Sequence, residues 1–131
     1  MNENQRLTSP DVGNVNRRRA IAESFLAAAK GGQLDRLLAL LDPEAVLQAD
    51  SAAVTLGATA VVNGAAGVAG VFNGRAQTKA VALLEGVPGL VEVSEGHVIV
   101  VFHLSFDDEA GWISAVEQVA DKERITATVV G

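Results

Sequence analysis

Cysteine is absent from this sequence of 131 residues. Disulfides and thiolate metal sites are therefore excluded, and two histidines, His97 and His103, are too few for a structural zinc. No metal or other cofactor is expected. Positive charge is scarce as well, with 10 Lys and Arg against 16 Asp and Glu and a formal net charge of −6. Binding a phosphate backbone needs clustered basic side chains that displace counterions, so nucleic acid is not expected as a direct ligand. The one basic run, Arg17-Arg18-Arg19, sends its side chains in different directions around a helix and reads as a solvated helix start.

Also missing are the basic start and apolar core of a secretory leader, since the chain opens MNENQRLTSPD; the expected compartment is the cytoplasm. Ser51 to Gly74 carries no charge and is long enough to span a bilayer. Its apolar content is mostly Ala, interrupted by Thr55, Thr59, Asn63-Gly64 and Asn73, which argues against a transmembrane helix and against a membrane partner.

What is present is a globular composition, 49% hydrophobic and 20% charged, enough for one domain with a core. Residues 1–14 read as a flexible leader and 15–131 as a single domain. The spacing of Ile21, Phe25, Ala28 and Ala29 predicts a helix from about Val15 to Lys30, stopped by Gly31-Gly32. A second helix over Gln33 to Leu41 buries a stripe of Leu34, Leu37, Leu38 and Leu41 and closes at Asp42-Pro43. Ala45 to Asp50 alternates as a short strand, Val54 to Val62 is a weaker strand, and Ala65 to Phe72 is a short helix weakened by Gly67 and Gly70.

The C-terminal half is a β meander. Strands are expected over Gln77 to Glu85 and Leu90 to Val93, with a turn at Gly86 to Gly89 between them and another at Ser94 to Gly96. His97 to Phe106 is apolar on both faces, with Val98, Val100, Phe102, Leu104 and Phe106 on one and His97, Ile99, Val101, His103 and Ser105 on the other. A strand buried twice needs two covers. The first face is expected to meet the helices, and the second, with Ile99, Val101, His103 and Glu117, a second copy of the chain. A bulge-free hairpin to Trp112–Val119 sets Phe106 opposite Trp112, Leu104 opposite Ser114, Phe102 opposite Val116 and Val100 opposite Gln118. From Asp121 the chain reads as an edge strand or a tail.

This order of elements, with FLAAAKGGQLDRLLALLDPEAVLQAD (Phe25 to Asp50), NGAAGVAGVF (Asn63 to Phe72), EGVPGLV (Glu85 to Val91) and GWISAV (Gly111 to Val116), resembles the SnoaL-like branch of the nuclear transport factor 2-like superfamily. It is most similar to the SnoaL-like domain at the C-terminus of a group of extracytoplasmic-function sigma factors, over about Arg17 to Lys122. The resemblance implies an α+β fold: a cone-shaped, curved antiparallel (mixed) sheet wrapped around N-terminal helices, the cystatin-like roll. The sequence departs from that group at Asp50-Ser51-Ala52-Ala53-Val54, which keeps the acid of a glycine-rich segment and loses its glycines and lysine, and at Val119 to Glu123, where only Asp121-Lys122 is kept. Promoter-binding helical domains precede the SnoaL-like domain in that group and have no counterpart here, so the chain is not expected to act as a sigma factor alone.

Enzymes of the superfamily place an inward acid on the last strand, and the alignment implied by the resemblance puts Gln118 there, an amide that cannot accept a proton at neutral pH. Glu117 faces outward in the expected register. His103 reads as a hydrogen-bonded outer-face or dimer-seam residue ahead of a catalytic base. Phe102, Leu104, Trp112, Ser114, Val116 and Gln118 are the candidate pocket-lining residues. Asp35 and Asp50 read as structural acids, and Asp107, Asp108 and Glu109 lack the alternating ligand spacing of a calcium loop. The expected function is a noncatalytic ligand-binding or protein-interaction domain, a homodimer with a small apolar ligand or the transcription machinery as further candidate partners. The alternative is a small cyclase, isomerase or epoxide-hydrolase-like enzyme acting on an apolar cyclic substrate.

Overall fold

The computed structural model describes residues 10–129. Residues 1–9 of the expected leader lie outside the described residues, and helix α1 (Pro10–Lys30) already includes positions 10 to 14. It ends at Gly31-Gly32, where Gly32 takes a φ of 65°. Helix α2 (Leu34–Ala39) follows and is shorter than its leucine stripe suggests: Leu37 is fully buried while Leu34 is 43% exposed. Strand β1 (Leu41–Ala49) then starts before Asp42-Pro43, so the proline sits inside a strand. It is accommodated where the pairing shifts register between Leu41 and Val46.

The expected strand over Val54 to Val62 is replaced by helix α3 (Ser51–Thr55) and a three-residue strand β2 (Val61–Asn63). The cause is local. Asp50 caps α3 by accepting the Ala53 N–H at 2.8 Å, which makes helix the favoured conformation for a β-permissive segment. Helix α4 (Ala65–Phe72) buries Val68, Ala69 and Phe72. Gly67 is suited to its place there, since a Cβ would lie 2.8 Å from the Val62 Cγ1.

The meander comprises β3 (Lys79–Leu84), β4 (Val87–Ser94), β5 (His97–Asp107) and β6 (Trp112–Val119). The β3–β4 turn is Glu85-Gly86, both at positive φ, the signature of a tight two-residue hairpin turn. Val87, Pro88 and Gly89, expected in the turn, belong instead to β4. The sheet order is β2-β1-β6-β5-β4-β3, antiparallel except for the parallel β1–β6 pair, so the chain is an α+β protein with a six-stranded mixed sheet.

Two bulges set which side chains face the helices. The β4–β5 ladder pairs Glu92 with Val100 but Val93 with Val98, so Ile99 is the extra residue and Val98 turns to the outer face. The β5–β6 ladder pairs Phe102 with Gln118 and Leu104 with Val116, then shifts to Phe106–Ile113 and Asp107–Trp112. That is two residues from the bulge-free register over most of its length, which keeps Phe102, Leu104, Val116 and Gln118 inward. Past the shift, Ile113 takes the inward place and is fully buried.

On the concave face the core runs through an aromatic chain. Phe25 of α1 meets Phe72 of α4 edge-on at 5.1 Å between ring centroids, and Phe72 meets Phe102 of β5 at 5.2 Å. A second cluster lies on the convex face, where helix α5 (Lys122–Val129) packs Ile125 onto Val101, Val119, Leu84 and Val91. The expected edge strand or tail is thus a helix. It covers Val101, leaving Val46, Gln48, His103, Ser105, Ala115 and Glu117 on the open half of that face.

Candidate functional site

One end of the cone is open. A cavity of about 290 Å³ lies between the sheet, α4 and the loop after α3, lined by Leu47, Gly57, Ala58, Thr59, Val62, Val71, Arg75, Lys79, Glu92, Val100, Phe102 and Gln118. Strand registers explain the gathering. Lys79 pairs with Glu92 and Glu92 with Val100, forming one row across β3, β4 and β5, while Phe102 and Gln118 form the neighbouring row across β5 and β6.

The charged centre of the site is the Lys79–Glu92 ion pair, Nζ to Oε1 at 2.8 Å, with side-chain exposures of 9% and 20%. Lys79 also donates to the Arg75 carbonyl at 2.7 Å, and its ammonium stands 5.4 Å from the Phe102 ring centroid and 6.0 Å from that of Phe72. The Thr78 hydroxyl donates to the other Glu92 oxygen, Oε2. Burial pushes the Glu92 pKa up, but the Lys79 and Thr78 hydrogen bonds and the Lys79 charge outweigh it, and the carboxyl is held below its usual range.

A second acid acts beside the cavity. Asp50, at the end of β1, accepts the backbone N–H groups of Ala53, Ala120 and Asp121, and Arg124 of α5 lies 3.9 Å away. Desolvation raises its pKa, and these three N–H bonds with the Arg124 charge more than offset that, so its pKa is lowered. One carboxylate therefore joins the ends of β1 and β6 to the starts of α3 and α5. This is the structural role its place in the sequence suggested.

Among the candidate pocket residues, Phe102 and Gln118 line the cavity. Leu104 and Val116 lie deeper, in the packed core. Trp112 and Ser114 sit at the β6 bulge, away from the cavity, where the Trp112 indole Nε1 is buried without a hydrogen-bond partner among the described residues. On the outer face His103 pairs in register with Glu117, and Glu117 bonds Arg124 at 3.0 Å. Val101 lies beneath α5, and Ile99 remains 43% exposed.

Arg18 of the basic run binds Asp108 with two hydrogen bonds, at 3.0 and 2.7 Å, tying α1 to the β5–β6 turn. Asp107 accepts the Glu109 and Ala110 N–H groups, so this acidic stretch is a tied-down turn.

Sequence reasoning missed Lys79, Glu92 and Arg75. The signal existed: once the turn is placed at Glu85-Gly86, Lys79 falls opposite Glu92, an opposite-charge pair on a face otherwise occupied by Val81 and Leu90.

No protein-family model and no curated protein matches the sequence. Solved structures do. The extracytoplasmic-function sigma factor SigJ of Mycobacterium tuberculosis matches over 98% of this chain and 49% of its own, with a TM-score of 0.65 and 18% identity. The chain thus spans about half the length of that protein. A nuclear transport factor 2-like protein of unknown function from Burkholderia xenovorans LB400 matches over 79% of this chain and 81% of its own (TM-score 0.53, 13% identity). A candidate ketosteroid isomerase from Kribbella flavida DSM 17836 matches over 81% and 78% respectively (TM-score 0.53, 19% identity). The chain has the nuclear transport factor 2-like, SnoaL-like fold. At these identities the likeness carries the fold and not the chemistry.

Proposed function

We propose that the chain is a noncatalytic SnoaL-like domain whose cone cavity binds a small, largely apolar molecule. The observation that carries this reading is the state of Glu92, the one carboxylate among the cavity's lining residues. Both its oxygens are engaged, one by Lys79 and one by Thr78, and its lowered pKa makes it a weak base. A proton-transfer site needs a carboxylate that is free to accept, with a pKa raised toward neutrality. The cavity size fits the lower end of small-molecule sites.

A screen of small apolar compounds by protein-observed NMR tests this, read at the Gln118 side-chain amide and the Ala58 backbone. Binders are expected to move these signals and to raise the melting temperature. A screen without a binder at millimolar concentration removes the reading.

The rival, a small cyclase, isomerase or epoxide-hydrolase-like enzyme, is favoured by one observation: the cavity reaches Gln118 and does contain a carboxylate. Turnover of an apolar cyclic substrate that Glu92→Gln abolishes while leaving substrate binding intact would replace the binding reading with this one.

As a relative in fold of the SigJ half-chain, the domain is further proposed to report its ligand state to the transcription machinery. Pull-downs with purified RNA polymerase and sigma factors, with and without a binder from the screen, test that part; capture in neither condition removes it. Self-association is proposed through the open half of the outer face, around Val46, His103 and Ala115, and light scattering at micromolar concentration tests it.

A further inference from the structure

The cone cavity carries surplus positive charge in an acidic chain. Its ionisable lining residues are Arg75, Lys79 and Glu92, two cations and one anion, whereas the chain as a whole has a net charge of −6. Lys79 and Glu92 neutralise one another across 2.8 Å. The Arg75 guanidinium has no ion pair among the described residues, and neither it nor the Gln118 side-chain amide has a hydrogen-bond partner there. Between these groups the wall is apolar, formed by Leu47, Val62, Val71, Val100 and Phe102.

Resting on the ligand-binding reading, we propose that the ligand is a small apolar monocarboxylate, its hydrocarbon body against Phe102 and its carboxylate held by Arg75. The planar guanidinium fork matches two carboxylate oxygens, a pairing that an amide or an alcohol cannot reproduce. Charge counting sets the valence. One ligand carboxylate brings the cavity to neutrality, a dianion leaves an excess negative charge near Glu92, and a cation adds a second uncompensated positive charge. Size sets the scale: a cavity of about 150 Å³ holds benzene, so one of this volume suits about 12 non-hydrogen atoms, the size of a phenylpropanoid acid. The Gln118 amide, able to donate and accept, suits an additional polar substituent or the carboxylate itself.

The test uses three probes of nearly equal size, cinnamate, cinnamamide and cinnamylamine, titrated into the wild-type chain and the Arg75→Met variant with NMR detection. Arg75 is exposed, so the variant is expected to fold, and its melting temperature verifies this. The expected result is cinnamate binding on the order of tenfold more tightly than cinnamamide, a preference that weakens with added salt. Arg75→Met should erase the preference, weakening cinnamate far more than cinnamamide, and Arg75→Lys should restore part of it. Equal binding of acid and amide, or a preference that survives in Arg75→Met, overturns the monocarboxylate proposal and leaves the binding site standing. Tightest binding by cinnamylamine overturns it in favour of a cationic ligand. If none of the three binds to a well-folded wild-type chain, this proposal falls, and the ligand-binding reading is then decided by the wider screen.

Discussion

Lys79 and Glu92 face each other from the two arms of the β3–β4 hairpin, equidistant from the Glu85-Gly86 turn, with their charged atoms 2.8 Å apart. Their contact joins three levels of the molecule. The turn sets the register, the register sets the pair, and the pair closes the wall of the cavity.

Breaking this pair from one side should cost more than removing both members. Lys79→Met leaves Glu92 charged, largely buried and without its cation, and the expected loss is about 2 kcal/mol, below the range for fully buried pairs because Glu92 keeps some solvent contact. Lys79→Met with Glu92→Leu should recover most of that loss, since no orphan charge remains. Urea unfolding of the two variants checks this. A single variant as stable as wild type would show that the pair carries no structural role.

Asp50 should matter both to local order and to the response to acid. Asp50→Ala removes a helix cap and strands the Ala120 and Asp121 N–H groups, for an expected cost of about 2 kcal/mol and faster amide exchange at both residues. The folded-state pKa values of Asp50, Glu92 and Asp108 all lie below their ordinary values. The unfolded chain therefore binds more protons in the acid range, and stability from these groups is present above the unfolded carboxyl pKa, about 4, and lost as pH falls through the folded values. Unfolding curves between pH 7 and pH 3 should show this decline, and Asp50→Asn should make it shallower. An unchanged acid limb would count against Asp50 as a contributor.

Much of the fold was legible because it rests on local signals. The α1 stripe, the Gly31-Gly32 stop, α4 at Ala65–Phe72 and β6 at Trp112–Val119 follow from periodicity and turn residues, and the structure has each of them. The misplacements arose where one contact beyond the pattern decides. Asp50 turns Ser51–Thr55 helical through a side-chain cap, and the bulges at Ile99 and Ser114 shift the strand registers in a way that alternation of strand residues does not encode. The site was less legible for the same reason. A turn at Gly86 to Gly89 sets Lys79 and Glu92 out of register, whereas the observed turn at Glu85-Gly86 places them opposite one another and so builds the charge of the cavity. Phe102 and Gln118 face inward in both the expected and the observed register, because a two-residue shift preserves the face on which a strand residue lies.

Gly89 and Gly70 offer a paired test of packing against backbone freedom. A Cβ on Gly89 would lie 2.6 Å from the Leu84 Cδ1 and 2.7 Å from the Phe102 carbonyl oxygen. The leucine tip can move, but the carbonyl belongs to the backbone of β5, so Gly89→Ala is expected to destabilise by about 1–3 kcal/mol. Gly70 lies within α4, where an added Cβ would meet nothing within 4 Å, and Gly70→Ala should stabilise by about 0.5–1 kcal/mol. Thermal unfolding of the two variants measures both signs, and a Gly89→Ala variant as stable as wild type would refute the close approach of β4 to β5.

Helix α5 is held by its docking rather than by its own propensity, and one residue tests this. Its sequence, KERITATV, is short and rich in β-branched residues, a combination that does not sustain an isolated helix in water. What fixes it is Ile125, 7% exposed over Val101 and Val119, together with the Asp121 side chain capping its first turn and the Arg124–Glu117 ion pair. The exposed ion pair contributes little by itself. Ile125→Ala should therefore cost about 2–4 kcal/mol, and Ile125→Asp should undock the helix while leaving the concave core and its Phe25–Phe72–Phe102 chain intact. The freed Val101, Val119, Leu84 and Val91 would then form a continuous apolar surface, and concentration-dependent association is the expected consequence. Hydrogen exchange should show rapid exchange confined to Lys122–Val129, and light scattering should show larger species in Ile125→Asp than in wild type. Cooperative unfolding of the whole chain would instead mean that α5 is part of the folding core and not a cover laid over it.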